Sequence, residues 1–164
     1  MKFKLKNFFL PPLTRGYLIR VFGLTVFGLL FFSFICLPFR VKGRSMEPTY
    51  MNGEFNFCFR PRYLFSKPER QDVVVIRLAG EKVMLLKRVV ALEGETVEFK
   101  NGRLWVNGEK IDETYIQRAS EWKLPPRRVK KRHVYVVGDN RNVPMAIHRF
   151  GQTSINRIIG VPLW

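Results

Sequence analysis

The chain has 164 residues, with 29 Lys and Arg against 13 Asp and Glu, a formal charge of +16 at neutral pH. That length holds one domain with a real core but hardly two, and 46% hydrophobic content with 15 Phe excludes a disordered basic tail or histone-like arm. Two cysteines are too few for a disulfide framework and no Cys/His cluster has metal-ligand spacing, so neither metal nor cofactor is expected.

The charge divides along the chain. Residues 1–44 carry eight basic side chains and no acid, residues 45–114 eleven of each, and residues 115–164 ten basic and two acidic. A nucleic-acid-binding domain spreads its basic face through the fold. Here the excess sits at the two ends, and no nucleic-acid partner is expected.

The first end reads as a membrane topology signal. Val21 to Phe39 is a run of nineteen uncharged residues that extends back to Tyr17 if Arg20 snorkels. At ~1.5 Å per residue it crosses a hydrocarbon core of ~30 Å. It ends in Leu-Pro-Phe-Arg rather than the small residues of a cleavage site, so a retained anchor is expected over residues 17–39. Lys2, Lys4, Lys6, Arg15 and Arg20 put a basic tail, residues 1–16, in the cytoplasm, and residues 40–164 outside it as a single-pass protein of the cell membrane. On this reading Cys36 lies in the span and Cys58 beyond it, so the two do not pair.

Beyond the anchor the predicted elements are strands. Short β-branched and aromatic runs occur at Phe55–Phe59, Asp72–Leu78, Val83–Ala91, Thr96–Phe99, Leu104–Val106 and His133–Val137. Asn101-Gly102 and Asn107-Gly108 supply the positive φ of tight hairpin turns, so residues 97–111 read as a meander. The fold class is mostly β, an antiparallel sandwich or partly open barrel behind one N-terminal transmembrane helix. Phe55–Phe65 reads as core strand, with dipping into the membrane interface as the alternative. Residues 118–132, with Pro125-Pro126 and seven basic side chains, read as an exposed loop, either simply solvated or lying against anionic lipid headgroups.

Three stretches carry chemistry. Ser45 stands in Gly43-Arg-Ser-Met-Glu-Pro48, a loop that can present a hydroxyl on a turn. Lys87 lies in the apolar run Met84–Leu92, where burial disfavours the ammonium and lowers its pKa. A neutral lysine can take a proton from a serine hydroxyl, an alternative to Ser-His-Asp; a strand-edge lysine reaching water is the plainer reading of that segment alone. Val136-Val-Gly-Asp-Asn-Arg-Asn142 is a strand running into a tight turn.

In this order and behind a membrane span, the three stretches resemble the boxes of bacterial type I signal peptidases. Gly43-x-Ser45-Met46-x-Pro48-Thr49 is similar to the nucleophile box. Lys87-Arg88-Val89-Val90-Ala91-Leu92-x-Gly94 is similar to the general-base box, and Gly138-Asp139-Asn140-Arg141-Asn142 to the C-terminal box. The resemblance implies a membrane-bound Ser/Lys endopeptidase that removes signal peptides from exported preproteins. Its partners would be those signal peptides and the lipid bilayer. Ser45 and Lys87 would be catalytic. Gly43, Arg44 and Met46, with Val83, Met84 and Leu85, would form the oxyanion and substrate-binding wall, and Asp139 and Asn140 would support the site. With Gly at position 43 no hydroxyl stands two residues before the serine, so the Ser45 N–H and other backbone donors must hold the oxyanion.

The C-terminal box also departs from the family, which continues to Ser-x-Asp-Ser-Arg. Here Pro144, Ala146, Ile147 and His148 occupy those places, and Glu93 replaces a proline in the lysine box. The alternative is therefore a specialised or catalytically impaired paralogue, acting on restricted substrates or as a binding module, with His148 a candidate replacement for a lost polar partner.

Overall fold

The structure, a computed structural model, describes residues 13–77, 84–117, 121–147 and 151–164. Its first element is a helix, α1 (Arg15–Leu30), which continues through one π-helical turn, Phe31–Ile35. Thr14 caps it: the Tyr17 N–H donates to the Thr14 hydroxyl at 3.2 Å, satisfying one of the open donors of the first turn. The 21 residues Arg15–Ile35 contain an 18-residue apolar window, with a mean hydropathy of 2.2, in which no residue is buried in the rest of the protein. At 1.5 Å per residue they reach about 32 Å, enough to cross a bilayer.

The helix stops four residues short of the expected Phe39. Cys36–Arg40 is instead the first strand, β1. Pro38 cannot donate a helical hydrogen bond and disfavours helical backbone at Leu37. The Arg60 guanidinium meanwhile closes the open end of the helix, donating to the Ser33 carbonyl at 2.9 Å. Cys36 is thus a strand residue rather than a member of the helical span. It pairs with Phe59, while Cys58 pairs with Leu37. Neighbouring positions on a strand face opposite sides, so the two buried free thiols point apart.

The remaining strands are β2 (Phe55–Phe59), β3 (Val73–Arg77), β4 (Met84–Ala91), β5 (Thr96–Lys100), β6 (Arg103–Val106), β7 (Glu109–Lys110), β8 (Leu124–Arg128), β9 (His133–Val137), β10 (Gly151–Ser154) and β11 (Ile158–Pro162). They form two antiparallel sheets, one in the order β1-β2-β11-β3-β4-β9-β10 and one in the order β7-β6-β5-β8. The expected mostly β, antiparallel domain behind one apolar helix is what is found. β4 is central in the larger sheet, which is why its run of Val and Leu is covered on both faces. A core of Val90, Val97, Phe99, Leu104, Trp122, Val129, Tyr135 and Val137 joins the smaller sheet to the far ends of β4 and β9.

Both Asn-Gly pairs turn hairpins as expected: Asn101 and Gly102 have φ of 48° and 72°, Asn107 and Gly108 of 54° and 84°. The basic stretch corrects the reading of residues 118–132 as a loop, since Leu124–Arg128 is a strand paired with β5. β8 is an edge, so the missing N–H groups of Pro125 and Pro126 interrupt no ladder, and the register shifts between Val97 and Phe99 opposite them. Leu124, Val129 and Trp122 bury themselves around it.

β2 reverses the expected polarity. Asn56 and Cys58 are buried, whereas Phe55 is 54% exposed and Phe57 and Phe59 are half-buried. Phe57 stacks with Phe32 of the helical stem and with Trp164. Asn56 is tolerated inside because its amide bonds the Trp164 carbonyl, and its oxygen accepts from the N–H groups of Phe57 and Leu163. Phe65, at 96% exposed, is likewise no core residue.

Candidate active site

The loop from Val41 to Glu54 connects β1 to β2 and carries Ser45. Its base is pinned by two backbone bonds of 2.8 Å, Val41 N–H to the Glu54 carbonyl and Gly53 N–H to the Val41 carbonyl. Gly43, at φ 92°, occupies a conformation that favours glycine, and its N–H donates to Asn52 Oδ1 at 2.9 Å. That N–H is committed, so Gly43 shapes the loop but is not an open oxyanion donor. Among the described residues the Ser45 N–H has no acceptor, which leaves it available as a donor. Met46 is buried with Val41, Tyr50, Val75 and Leu86, an apolar plug that fixes the residue after the serine. Arg44 is a surface side chain whose Nε donates to Glu47 at 3.0 Å.

Lys87 comes from the middle of β4, opposite Val74. It is only 2% exposed, and its Nζ lies 2.5 Å from Ser45 Oγ, to which it donates. In the neutral amine the same contact runs the other way, Oγ–H donating to the nitrogen lone pair. Burial is the main influence on the amine and lowers its pKa from 10.5 to about 8, while the Asp139 carboxylate acts weakly in the opposite sense. A lysine whose neutral form is accessible near neutral pH, in contact with a serine hydroxyl, has the geometry in which it can take the hydroxyl proton.

The turn after β9 braces the nucleophile. The Asn140 N–H donates to the Ser45 carbonyl at 2.9 Å, and its side-chain amide donates to the Arg44 carbonyl at 2.8 Å. Asp139 is buried and receives Arg88 Nε and Nη2 at 2.9 and 2.6 Å, together with the Thr49 hydroxyl at 2.6 Å. The Arg88 guanidinium lies 4.0 Å from the Tyr115 ring centroid. The Tyr115 hydroxyl donates to Glu113, and Glu113 receives both terminal nitrogens of the buried Arg141. The Arg141 guanidinium lies 5.0 and 5.6 Å from the ring centroids of Phe99 and Trp122, and the Trp122 indole N–H donates to the Val143 carbonyl at 3.2 Å.

Ser45 and Lys87 are thus brought together, and Asp139, Asn140, Met46, Met84 and Leu85 lie around them. Val83 and His148 fall outside the described residues. Pro144 offers no hydroxyl to the lysine, and Ala146 and Ile147 stand exposed in a short 3-10 turn, Met145–Ile147. Glu93 accepts the Arg132 N–H at 2.8 Å, closing a turn at a residue with φ 58°. Sequence reading missed Glu113, Tyr115 and Trp122. A buried arginine in the Gly138–Asn142 turn calls for a carboxylate, but nothing local says which of the 13 acids supplies it.

Two cavities flank the serine. A shallow groove of about 20 Å³ is lined by Val41, Gly43, Ser45, Met46, Met84 and Leu86 among others. A polar cavity of about 240 Å³ lies past Arg44. Among the described residues no cluster of His, Cys, Asp and Glu could hold a metal ion.

Residues 14–163 match the protein family described as signal peptidase, peptidase S26. A signal peptidase I of Bacillus amyloliquefaciens is 36% identical over 146 residues, covering 81% of this chain and 75% of that protein. The thylakoidal processing peptidase 1 of Arabidopsis thaliana is 31% identical over 144 residues, and there the match spans only 42% of the relative's length. A crystal structure of a signal peptidase I from Enterococcus faecalis aligns with 58% of this chain and 97% of that one, at 24% identity and a TM-score of 0.48.

Proposed function

The chain belongs to the signal peptidase family, peptidase S26, and from that premise we propose that it is a membrane-anchored Ser/Lys endopeptidase that removes N-terminal signal peptides from exported preproteins. The observation that carries this reading is the 2.5 Å contact between Ser45 Oγ and a buried lysine that makes no ion pair among the described residues. Ser45 Oγ attacks the scissile carbonyl while Lys87 takes the hydroxyl proton. The oxyanion receives the free Ser45 N–H, a donor worth ~3 kcal/mol in such sites. On collapse the C–N bond breaks, and Lys87 returns the proton to the leaving amine. It then takes a proton from the water that hydrolyses the acyl-enzyme.

The groove supports a small residue before the cut. A volume of about 20 Å³ is little more than one water-sized probe, room for a methyl group and not for a branched side chain. The substrate backbone would extend along Met84–Leu86 and the segment before Ser45, adding a strand.

In this reading α1 spans the membrane, with Arg15 and Arg20 on the cytoplasmic side and the strands outside. The outward aromatic face of β2, with Trp164 and Phe65, suits the membrane interface at the root of the helix, where aromatic rings are favoured. Nine residues, 36–44, lie between the end of the helix and Ser45, so an embedded signal peptide would meet the serine close to the lipid surface. The absent hydroxyl at Pro144 favours a narrower variant of the same reading, a paralogue with slower turnover or restricted substrates.

The test is cleavage of a preprotein with Ala-x-Ala before its cut by the full chain in proteoliposomes. Cleavage is expected for wild type and none for Ser45→Ala or Lys87→Ala. Activity surviving in either variant would sink the dyad, and an inert wild type would favour a binding role. Protease added outside intact spheroplasts is expected to degrade the β domain, and protection would reverse the orientation.

A further inference from the structure

A peptide bond held over Ser45 Oγ sends its two halves in opposite directions. The groove by Met84–Leu86 takes the acyl half under the function proposed above, on which this inference rests. The leaving half must pass Arg44, and there the polar cavity opens, about 240 Å³ against about 20 Å³ for the groove. Arg44 and Ser45 are consecutive, so the wall of one cavity is continuous with the wall of the other.

Several polar groups facing this second cavity are already committed. Asp139 is held by Arg88 and Thr49, Arg141 by Glu113, and the Asn140 amide by the Arg44 carbonyl. Besides the Glu47 carboxylate, the groups left over can donate. The Arg44 side chain is 77% exposed and touches Glu47 only through Nε, so among the described residues both terminal nitrogens of its guanidinium are without a partner. The side-chain amides of Gln117 and Asn142 also line the cavity, are exposed, and make no hydrogen bond among the described residues. A guanidinium presenting its open edge beside two amides is a donor set for a carboxylate, which the guanidinium can take in bidentate fashion.

We propose that this cavity is the subsite for the first residues after the scissile bond, and that Arg44 makes it select an acidic side chain there. The Glu47 carboxylate opposes that selection. It sits on the Nε side, however, leaving the Nη edge open. Because Arg44 is solvated, the discrimination is modest and weakens with salt. This is a binding role on the mature side of the cut, separate from the small-residue groove before it. It concerns the Arg44 side chain alone, since the Arg44 carbonyl that braces Asn140 is untouched by substitution.

The experiment uses the full chain in detergent micelles and peptides identical up to the cut, with Asp, Asn or Lys at the second position after it. Ratios of kcat/KM between peptides are independent of how much enzyme is active, so a poorly folded variant does not mislead. Wild type is expected to prefer Asp to Lys by about tenfold, falling toward about threefold in 0.5 M salt. Arg44→Gln should bring the ratio close to one, and Arg44→Glu should invert it. A ratio indifferent to both substitutions overturns the subsite while leaving the peptidase reading intact. Failure of every peptide to be cut by wild type overturns that reading, and this inference with it.

Discussion

Lys87 and Arg88 are neighbours on one strand, and the fold treats their charges in opposite ways. Arg88 is held by both oxygens of Asp139, by the Gln71 carbonyl and by the face of Tyr115. Lys87 is more deeply buried, and its one hydrogen bond among the described residues goes to a serine hydroxyl. A compensated cation is scaffold, because its environment favours the charged form. An uncompensated one is kept reactive, because the same low dielectric favours losing the proton. The network Asp139–Arg88–Tyr115–Glu113–Arg141 also carries Asn140, which braces the serine. The stiffness of one region therefore supports the reactivity of the other.

The largest expected effect comes from removing the uncompensated partner. Lys87→Ala or Ser45→Ala should lower kcat/KM by about 10⁴-fold or more while leaving unfolding by denaturant cooperative. Next comes the compensated side. Asp139→Asn strands a buried guanidinium and should cost about 3–5 kcal/mol in urea unfolding. A loss below about 1 kcal/mol would mean that Arg88 is not held as described.

The contrast also predicts opposite responses to pH. The Lys87 amine has a folded pKa of about 8, below its unfolded 10.5. Between these values the unfolded chain binds more protons, so stability rises with pH, by about 3 kcal/mol in all, and the penalty is full below about 8. Lys87→Met should abolish that rise and be the more stable protein at pH 7. In wild type, kcat/KM should climb through pH 8 as the base becomes neutral. A profile flat from pH 6 to 10 would contradict a working lysine.

Smaller effects should follow within the network. Glu113→Gln keeps the shape but loses the charge facing Arg141, and should cost about 1–3 kcal/mol. It should also lower kcat more than it raises KM, since Arg141 holds the turn whose Asn140 N–H braces Ser45. Trp122→Phe removes one hydrogen bond, to Val143, and should cost about 1 kcal/mol.

The β character of the domain was legible because alternation and turn chemistry are local. Asn101-Gly102 and Asn107-Gly108 needed no partner to announce their hairpins. Phe55–Phe59 was legible as a strand but not in its facing, because only the helical stem and Trp164 make an outward aromatic face sensible. β1 was hidden in the apolar run, since a strand of Cys, Leu, Pro and Phe differs from a span only in what it pairs with. β8 was hidden by its two prolines, which an edge tolerates and a central strand would not.

The site divides in the same way. Ser45, Lys87 and Asp139 were named by short segments whose order and composition carry the chemistry. Glu113, Tyr115 and the cavity past Arg44 were not, because they are pairings across long stretches of chain. By itself the sequence determined the apolar helix, the strand-rich domain and the segments that carry Ser45 and Lys87, all written in local pattern and residue type. The tertiary structure alone decided that, among the described residues, Arg88 is ion-paired to Asp139 and Lys87 makes no ion pair. A pKa depends on which groups the fold brings within a few ångströms, and that is a property of the packing.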